Sequence, residues 1–160
     1  MQNNDFTTTL QLKGSPMDVF NAVNNPRIWW SEEITGITDK VGGIFEYHYG
    51  DAHYAKIQIA ELVPGRKTVW HVLENRFNFT EDTTEWSDTY VHFDISEEKG
   101  MTQLHFVHKG LTPEFECYEA CREGWSFYLH RSLQPLIDTG KGQPNSGTDA
   151  KTKAEKNLSA

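Results

Sequence analysis

From Thr112 to Gly140 the chain carries one long helical pattern, and it follows a series of segments in which apolar residues recur at every second position. This combination limits the fold more than any other feature. A helix with a single apolar stripe must bury it, and the alternating segments are strands that each offer one apolar face. On a wheel of about 100° per residue, Tyr118, Cys121, Trp125, Leu129, Ser132 and Leu136 share one side of the helix. Thr112-Pro113-Glu114 has N-cap and first-turn chemistry, and Gly140 is a C-terminal stop. Pro135 interrupts the pattern and predicts a kink, because it lacks a backbone donor.

The strands come first. Phe6, Thr8, Leu10 and Leu12 alternate, and Ser15-Pro16 then caps a short helix whose apolar side is Val19, Phe20 and Val23. Arg27 to Trp30 forms one further turn and Glu32 to Thr38 a short strand. Beyond Gly42-Gly43, strands are expected over 44–49, 54–63, 67–74, 84–96 and 101–109. Gly50-Asp51 reads as a two-residue hairpin turn and Pro64-Gly65 as a second tight turn. The order is a strand, one or two short helices, five or six antiparallel strands and one long helix. It predicts an α+β domain over residues 1–140 with helices on one side of the sheet. From Lys141 to Ala160, Leu158 is the only large apolar residue, and a disordered tail is expected.

Length and charge narrow the function. A chain of 160 residues suggests one domain that folds without disulfides or metal. A formal charge of −8 with no basic stripe argues against nucleic acid. The start has neither a positive region nor an apolar run, and no stretch approaches the roughly 20 apolar residues of a membrane span. Two cysteines without an export signal predict reduced thiols in a cytosol. Nucleophile elbow, His-Glu-x-x-His pair, dinucleotide fingerprint and phosphate loop are all missing, and no cofactor is expected.

Several short motifs occur in a fixed order: Ser15-Pro16-Met17-Asp18-Val19-Phe20, Asn25-Pro26, Trp29-Trp30, Gly42-Gly43-Ile44-Phe45, Val63-Pro64-Gly65-Arg66, Thr68-Val69-Trp70, the run Thr102 to Gly110, and Gly124-Trp125 with Leu129, Leu133 and Gly140. With them the chain resembles the SRPBCC (START-like, helix-grip) superfamily, and within it the group named after the activator of heat-shock protein 90 ATPase. The resemblance implies a curved sheet of six or seven strands gripping the C-terminal helix, with a cavity between them that often takes hydrophobic molecules.

Strand and helix parity then places Phe45, Tyr47, Trp70, Phe93, Leu104, Phe106 and His108 from the sheet, and Tyr118, Cys121, Trp125, Tyr128 and Leu129 from the helix, around that space. They either line an open ligand cavity or fill it as a solid core. His108 is the polar residue of interest, as a ligand contact or general base on one reading and a structural hydrogen-bonding residue on the other. His48 and His53 are expected to face each other across the Gly50-Asp51 turn, without a third metal ligand. Cys117 and Cys121 lack the spacing of a zinc site. Arg122 pairs at the surface or meets an anionic ligand. Phe127 points away from the stripe, marking a homodimer contact or packing under loops.

Three functions are compatible with this pattern: binding of a small hydrophobic or aromatic molecule, a cyclase-, aromatase- or hydrolase-type enzyme using His108 with Tyr118 or Tyr128, and a chaperone-interaction module. The last is disfavoured because the eukaryotic co-chaperone has a further N-terminal domain, and none is expected before Phe6.

Overall fold

Alternation at every second residue produces the sheet. Its strands are β1 (Phe6–Leu12), β2 (Thr35–Gly36), β3 (Ile44–Tyr49), β4 (His53–Val63), β5 (Lys67–Phe77), β6 (Tyr90–Glu98) and β7 (Met101–Lys109). All seven pair antiparallel in the order β1-β7-β6-β5-β4-β3-β2. The computed structural model describes residues 4–146 and 150–158. Two register shifts in the β4–β5 ladder, at Lys56/Ile57 and at Ile59/Glu61, insert Leu73 into β5 and Ala60 into β4. Such bulges bend a sheet and increase its twist, which suits it to curl around a helix.

Helix α1 (Pro16–Val23) starts as the sequence predicts. The Ser15 hydroxyl accepts from the Asp18 amide and the Asp18 carboxylate accepts from the Ser15 amide, both at 3.1 Å, with Pro16 in the first turn. A short 3-10 turn follows at Pro26–Ile28. The C-terminal helix runs from Tyr118 to Thr139 in three parts: α2 (Tyr118–Tyr128), a π-helical turn (Leu129–Leu133) and α3 (Gln134–Thr139). Cys121, Trp125, Tyr128, Leu129, Ser132 and Leu133 are buried against the sheet. This is the helix-grip α+β architecture.

Pro135 acts as expected of a residue without a donor, but the helix answers with a widened turn. The Gln134 amide reaches back five residues to the Leu129 carbonyl. The Arg131 carbonyl, which residue 135 would serve in a regular helix, instead accepts from the Gln143 side chain at 2.9 Å. Gly140 closes the helix at φ 91°.

Several boundaries differ from expectation: β2 is only Thr35–Gly36 and β5 continues to Phe77, and three further differences have a visible cause. Helix α2 begins at Tyr118 rather than near Thr112, because Glu85 accepts the Glu116 and Cys117 amides at 2.7 and 2.9 Å and holds 113–117 as turns. Strand β6 begins at Tyr90 rather than Thr84. The preceding turns are held by Asp82 on Thr84 and by Asn75 on the Trp86 amide. The β3–β4 loop has three residues, since Tyr49 pairs with His53 and the Ala52 amide bonds the Tyr49 carbonyl. One extra loop residue exchanges the faces of the returning strand.

The stretch from Lys141, expected to be disordered, is packed in its described part. Asn145 is fully buried. Its backbone exchanges hydrogen bonds with Trp30 and Glu32, its Oδ1 accepts from Ser31 at 2.7 Å, and its Nδ2 donates to Tyr128 at 2.9 Å and Tyr47 at 3.4 Å. Helix α4 (Lys153–Leu158) comes next, opened by a capping box in which Thr152 accepts the Glu155 amide and Glu155 accepts the Thr152 amide. Composition misses this anchorage because polar residues make it. Removing the Asn145 side chain strands buried partners. Asn145→Ala is expected to lower unfolding free energy by about 2–4 kcal/mol in urea titration, against about 1 kcal/mol for the exposed cap variant Ser15→Ala.

Candidate functional site

Every tryptophan of the chain belongs to one aromatic body. Trp29 and Trp30 both stack on Trp70, with interplanar angles of 13° and 14°; Trp30 lies 5.1 Å from Trp125, and Trp125 stacks on Trp86 at 9°. Phe45, Phe93 and Phe106 close on it edge-on or tilted. Phe45, Trp70, Phe93, Leu104, Phe106 and Leu129 are therefore packed core and do not face a void. Of the twelve residues expected around the cavity, Tyr47, Cys121, Trp125 and Tyr128 line it; Tyr118 is half-buried outside it.

The remaining hollow lies at one end of the sheet. It has a volume of about 70 Å³ and opens to solvent on one side. Small-molecule pockets usually measure roughly 300–1,000 Å³, so most of the space between sheet and helix is filled by rings. Five structural pieces enclose what is left. Tyr47, Tyr49 and His53 come from the β3–β4 hairpin; Phe77, Phe79 and Trp86 from the end of β5 and the loop after it; Ala120, Cys121, Gly124, Trp125 and Tyr128 from α2; and Thr152, Ala154 and Glu155 from the C-terminal segment. Trp30 forms the floor next to Tyr47, whose ring it stacks upon at 4.3 Å.

His108 does not line this cavity. It is fully buried with both ring nitrogens engaged: Trp125 Nε1 donates to Nδ1 at 3.1 Å, and Nε2 meets the Thr89 hydroxyl at 2.8 Å. Because Trp125 can only donate, Nδ1 accepts and Nε2 carries the proton. The Thr89 hydroxyl passes its own hydrogen to the Trp86 carbonyl at 2.5 Å. One directional chain thus ties helix, sheet and loop together.

His53 is the histidine that reaches the cavity, and the hairpin loop explains why parity reasoning misses it. A two-residue turn would set it opposite His48. The three-residue loop sets it opposite Tyr49 on the inner face, while His48 stays exposed beside Tyr54. The two histidines cannot share an ion. The His53 ring is bracketed by Tyr47, Phe77 and Trp86 at 5.0, 4.5 and 4.7 Å. The residue is half-buried overall, but its Nε2 is sealed from solvent and has no hydrogen-bond partner. An orphaned buried polar atom costs about 1–3 kcal/mol, so its place in a cavity wall is informative.

Across from it Glu155 accepts the Tyr128 hydroxyl at 2.6 Å and the Lys151 amide at 2.8 Å, and its carbonyl accepts from Tyr49. Burial, reinforced by the Glu155 charge, pushes the Tyr47 and Tyr128 phenols far up, so both remain protonated. Trp86 Nε1 donates to Cys121 Sγ at 3.2 Å. The Cys117 thiol is raised by its hydrogen bond with Cys121 and by burial. Among the described residues no three His, Cys, Asp or Glu side chains are grouped to hold a metal. Arg122 pairs with Glu119 at 2.7 Å, and Phe127 packs edge-on against Tyr128 beside the C-terminal segment. Trp86, His53 and Glu155 escape the sequence reading, although Thr152-Lys153-Ala154-Glu155 is a legible capping box.

Burial, with His108 and His48 adding for His53, lowers the His53 pKa to about 3; burial alone lowers His108 equally, to about 3. An unfolded histidine titrates near 6.5. Above that pH both states are neutral and stability is unaffected. As pH falls from 6.5 towards 3, the unfolded chain gains protons that the folded chain refuses, and stability drops. Unfolding free energy should fall between pH 6.5 and 4 with a slope approaching about 1.4 kcal/mol per unit for each histidine. His53→Phe should remove one proton's share of that slope in urea titrations.

Known proteins share this architecture. The sequence profile described as "Activator of Hsp90 ATPase homolog 1-like protein" matches residues 13–138. The solution structure of the Aha1 dimer from Colwellia psychrerythraea is similar at 20% identity, covering 86% of this chain and 98% of that one, with a TM-score of 0.70. CV1439 from Chromobacterium violaceum is similar at 22% identity over 84% of this chain and 98% of its own, with a TM-score of 0.61. CalU16 from Micromonospora echinospora matches at 20% over 87% and 76%, with a TM-score of 0.63. At these identities the structures support the fold alone. No curated protein sequence matches the chain, and among the described residues no helix is long and apolar enough to cross a membrane. Profile and fold agree, and the chain belongs to the Activator of Hsp90 ATPase homolog 1-like family, in the START-like (SRPBCC) superfamily.

Proposed function

We propose that the protein binds a small hydrophobic or aromatic molecule in the cavity between the hairpin β3–β4, helix α2 and the C-terminal segment. One observation carries this reading: the sealed Nε2 of His53, without a partner, in a wall otherwise made mostly of aromatic rings. A mostly apolar hollow with a few polar tips is how small-molecule sites are usually built. The small volume favours a single ring or a short apolar group that seats its tip inside while the rest occupies the open mouth. An enzyme built on His108 finds no support in the geometry, because that ring is enclosed by Trp125 and Thr89 away from the cavity.

Gly124 offers a clean test. It lines the cavity, and a Cβ added there meets no atom within 4 Å. The first carbon of a side chain has room there, so Gly124→Leu is expected to occupy the hollow, and it gains about 0.5–1 kcal/mol in helix propensity. Native mass spectrometry and thermal-shift measurements with single-ring aromatic compounds should show binding to the wild type. Gly124→Leu should melt no lower than wild type yet lose binding by about tenfold or more. Equal binding by both proteins would remove the cavity from consideration.

A further inference from the structure

The chemistry of the wall says more about the occupant than its size does. Building on the ligand-binding reading, we propose that this cavity recognises a small organic cation, a protonated amine on a short apolar or single-ring stem, held by aromatic faces and the Glu155 carboxylate.

Four observations converge. First, among the described residues lining the cavity there is no Lys or Arg, and Glu155 brings the one carboxylate. An aromatic acid would set its own anion against that group, whereas an ammonium is drawn to it. Second, ring faces attract cations through their quadrupole, most strongly those of Trp; Trp30, Trp86 and Trp125 are all in the wall, with Tyr47 alongside. Third, His53 presents a buried Nε2 without a partner. Burial keeps the imidazole uncharged, with its pKa lowered to about 3, so it does not repel a cation. In the tautomer with the proton on Nδ1, Nε2 is an acceptor and can take an N–H from an ammonium group. Fourth, the chain carries a formal charge of −8, a field that concentrates cations around the whole protein.

The void of about 70 Å³ suits a compact head group rather than a fused ring system. Glu155 also acts in the cap of α4 and accepts from Tyr128. A cation bound there would therefore stabilise the docking of the C-terminal segment as well.

Isothermal titration near neutral pH with benzylammonium, benzyl alcohol and benzoate separates the outcomes, because the three share a ring and differ in charge. Benzylammonium is expected to bind wild type about tenfold more tightly than benzyl alcohol, with benzoate weakest. Glu155→Gln should bring the amine within about threefold of the alcohol. Should that variant loosen the C-terminal segment, His53→Phe leaves the carboxylate and the segment's contacts in place, and it should weaken the amine severalfold more than the alcohol, which loses only a neutral hydrogen bond there. Alcohol or benzoate binding as tightly as the amine overturns the cation proposal while leaving a ligand site standing. An amine preference unchanged in both variants overturns it as well. Failure of all three probes to bind wild type overturns the ligand-binding reading and this inference together.

Discussion

Contact among the five indoles is the interaction on which the remaining structure depends. Trp29 and Trp30 come from the turn after α1, Trp70 from the centre of the sheet, Trp125 from the gripped helix and Trp86 from a loop. Rings of this size bury some 150–250 Å² each and prefer a few mutual orientations. Stacking them end to end fixes the spacing between sheet and helix. It also uses up most of the hollow that the architecture would otherwise leave, so the space left between sheet and helix is a small one beside Trp30, Trp86 and Trp125, against His53, Tyr128 and the C-terminal segment.

The same aromatic body explains how hydrogen bonding is distributed. Trp29 Nε1 reaches the Ala22 carbonyl, Trp125 Nε1 reaches His108 and Trp86 Nε1 reaches Cys121, so each donor links the ring to a different element. Trp70 Nε1 makes no such link and is buried without a partner at the crowded centre. There the stacking on Trp29 and Trp30, with edge contacts from Phe45 and Phe93, offsets the unmade bond. Interior packing is specific enough that one ring cannot turn to seek an acceptor without displacing its neighbours.

Which of these features the sequence discloses depends on whether periodicity or a count decides them. Parity correctly puts Leu104, Phe106 and His108 on the inner face, since β7 runs nine residues without a bulge. It assigns the helix stripe as far as Leu129, where the π-helical turn begins and shifts burial to Leu133. His53 is lost to a single loop residue, because Gly50-Asp51 looks like a complete turn and a third member, Ala52, reverses the faces of the returning strand. Trp86 is lost because its neighbours obey no alternation at all. Asn145 and Glu155 lie in a stretch whose composition resembles that of an unfolded tail, yet two buried polar side chains with matched partners suffice to anchor it. The extent of the cavity is not legible in advance, since it is the space left after large rings have settled against one another.

The family profile ends at residue 138, whereas the wall carrying Glu155 is supplied by residues after that point. The aromatic frame and the edge that carries Glu155 are thus successive stretches of one polypeptide, the second docked on the first. Substitutions in that short terminal stretch can therefore reshape the rim of the cavity while the indole column stays as it is, because every ring of that column lies before residue 138.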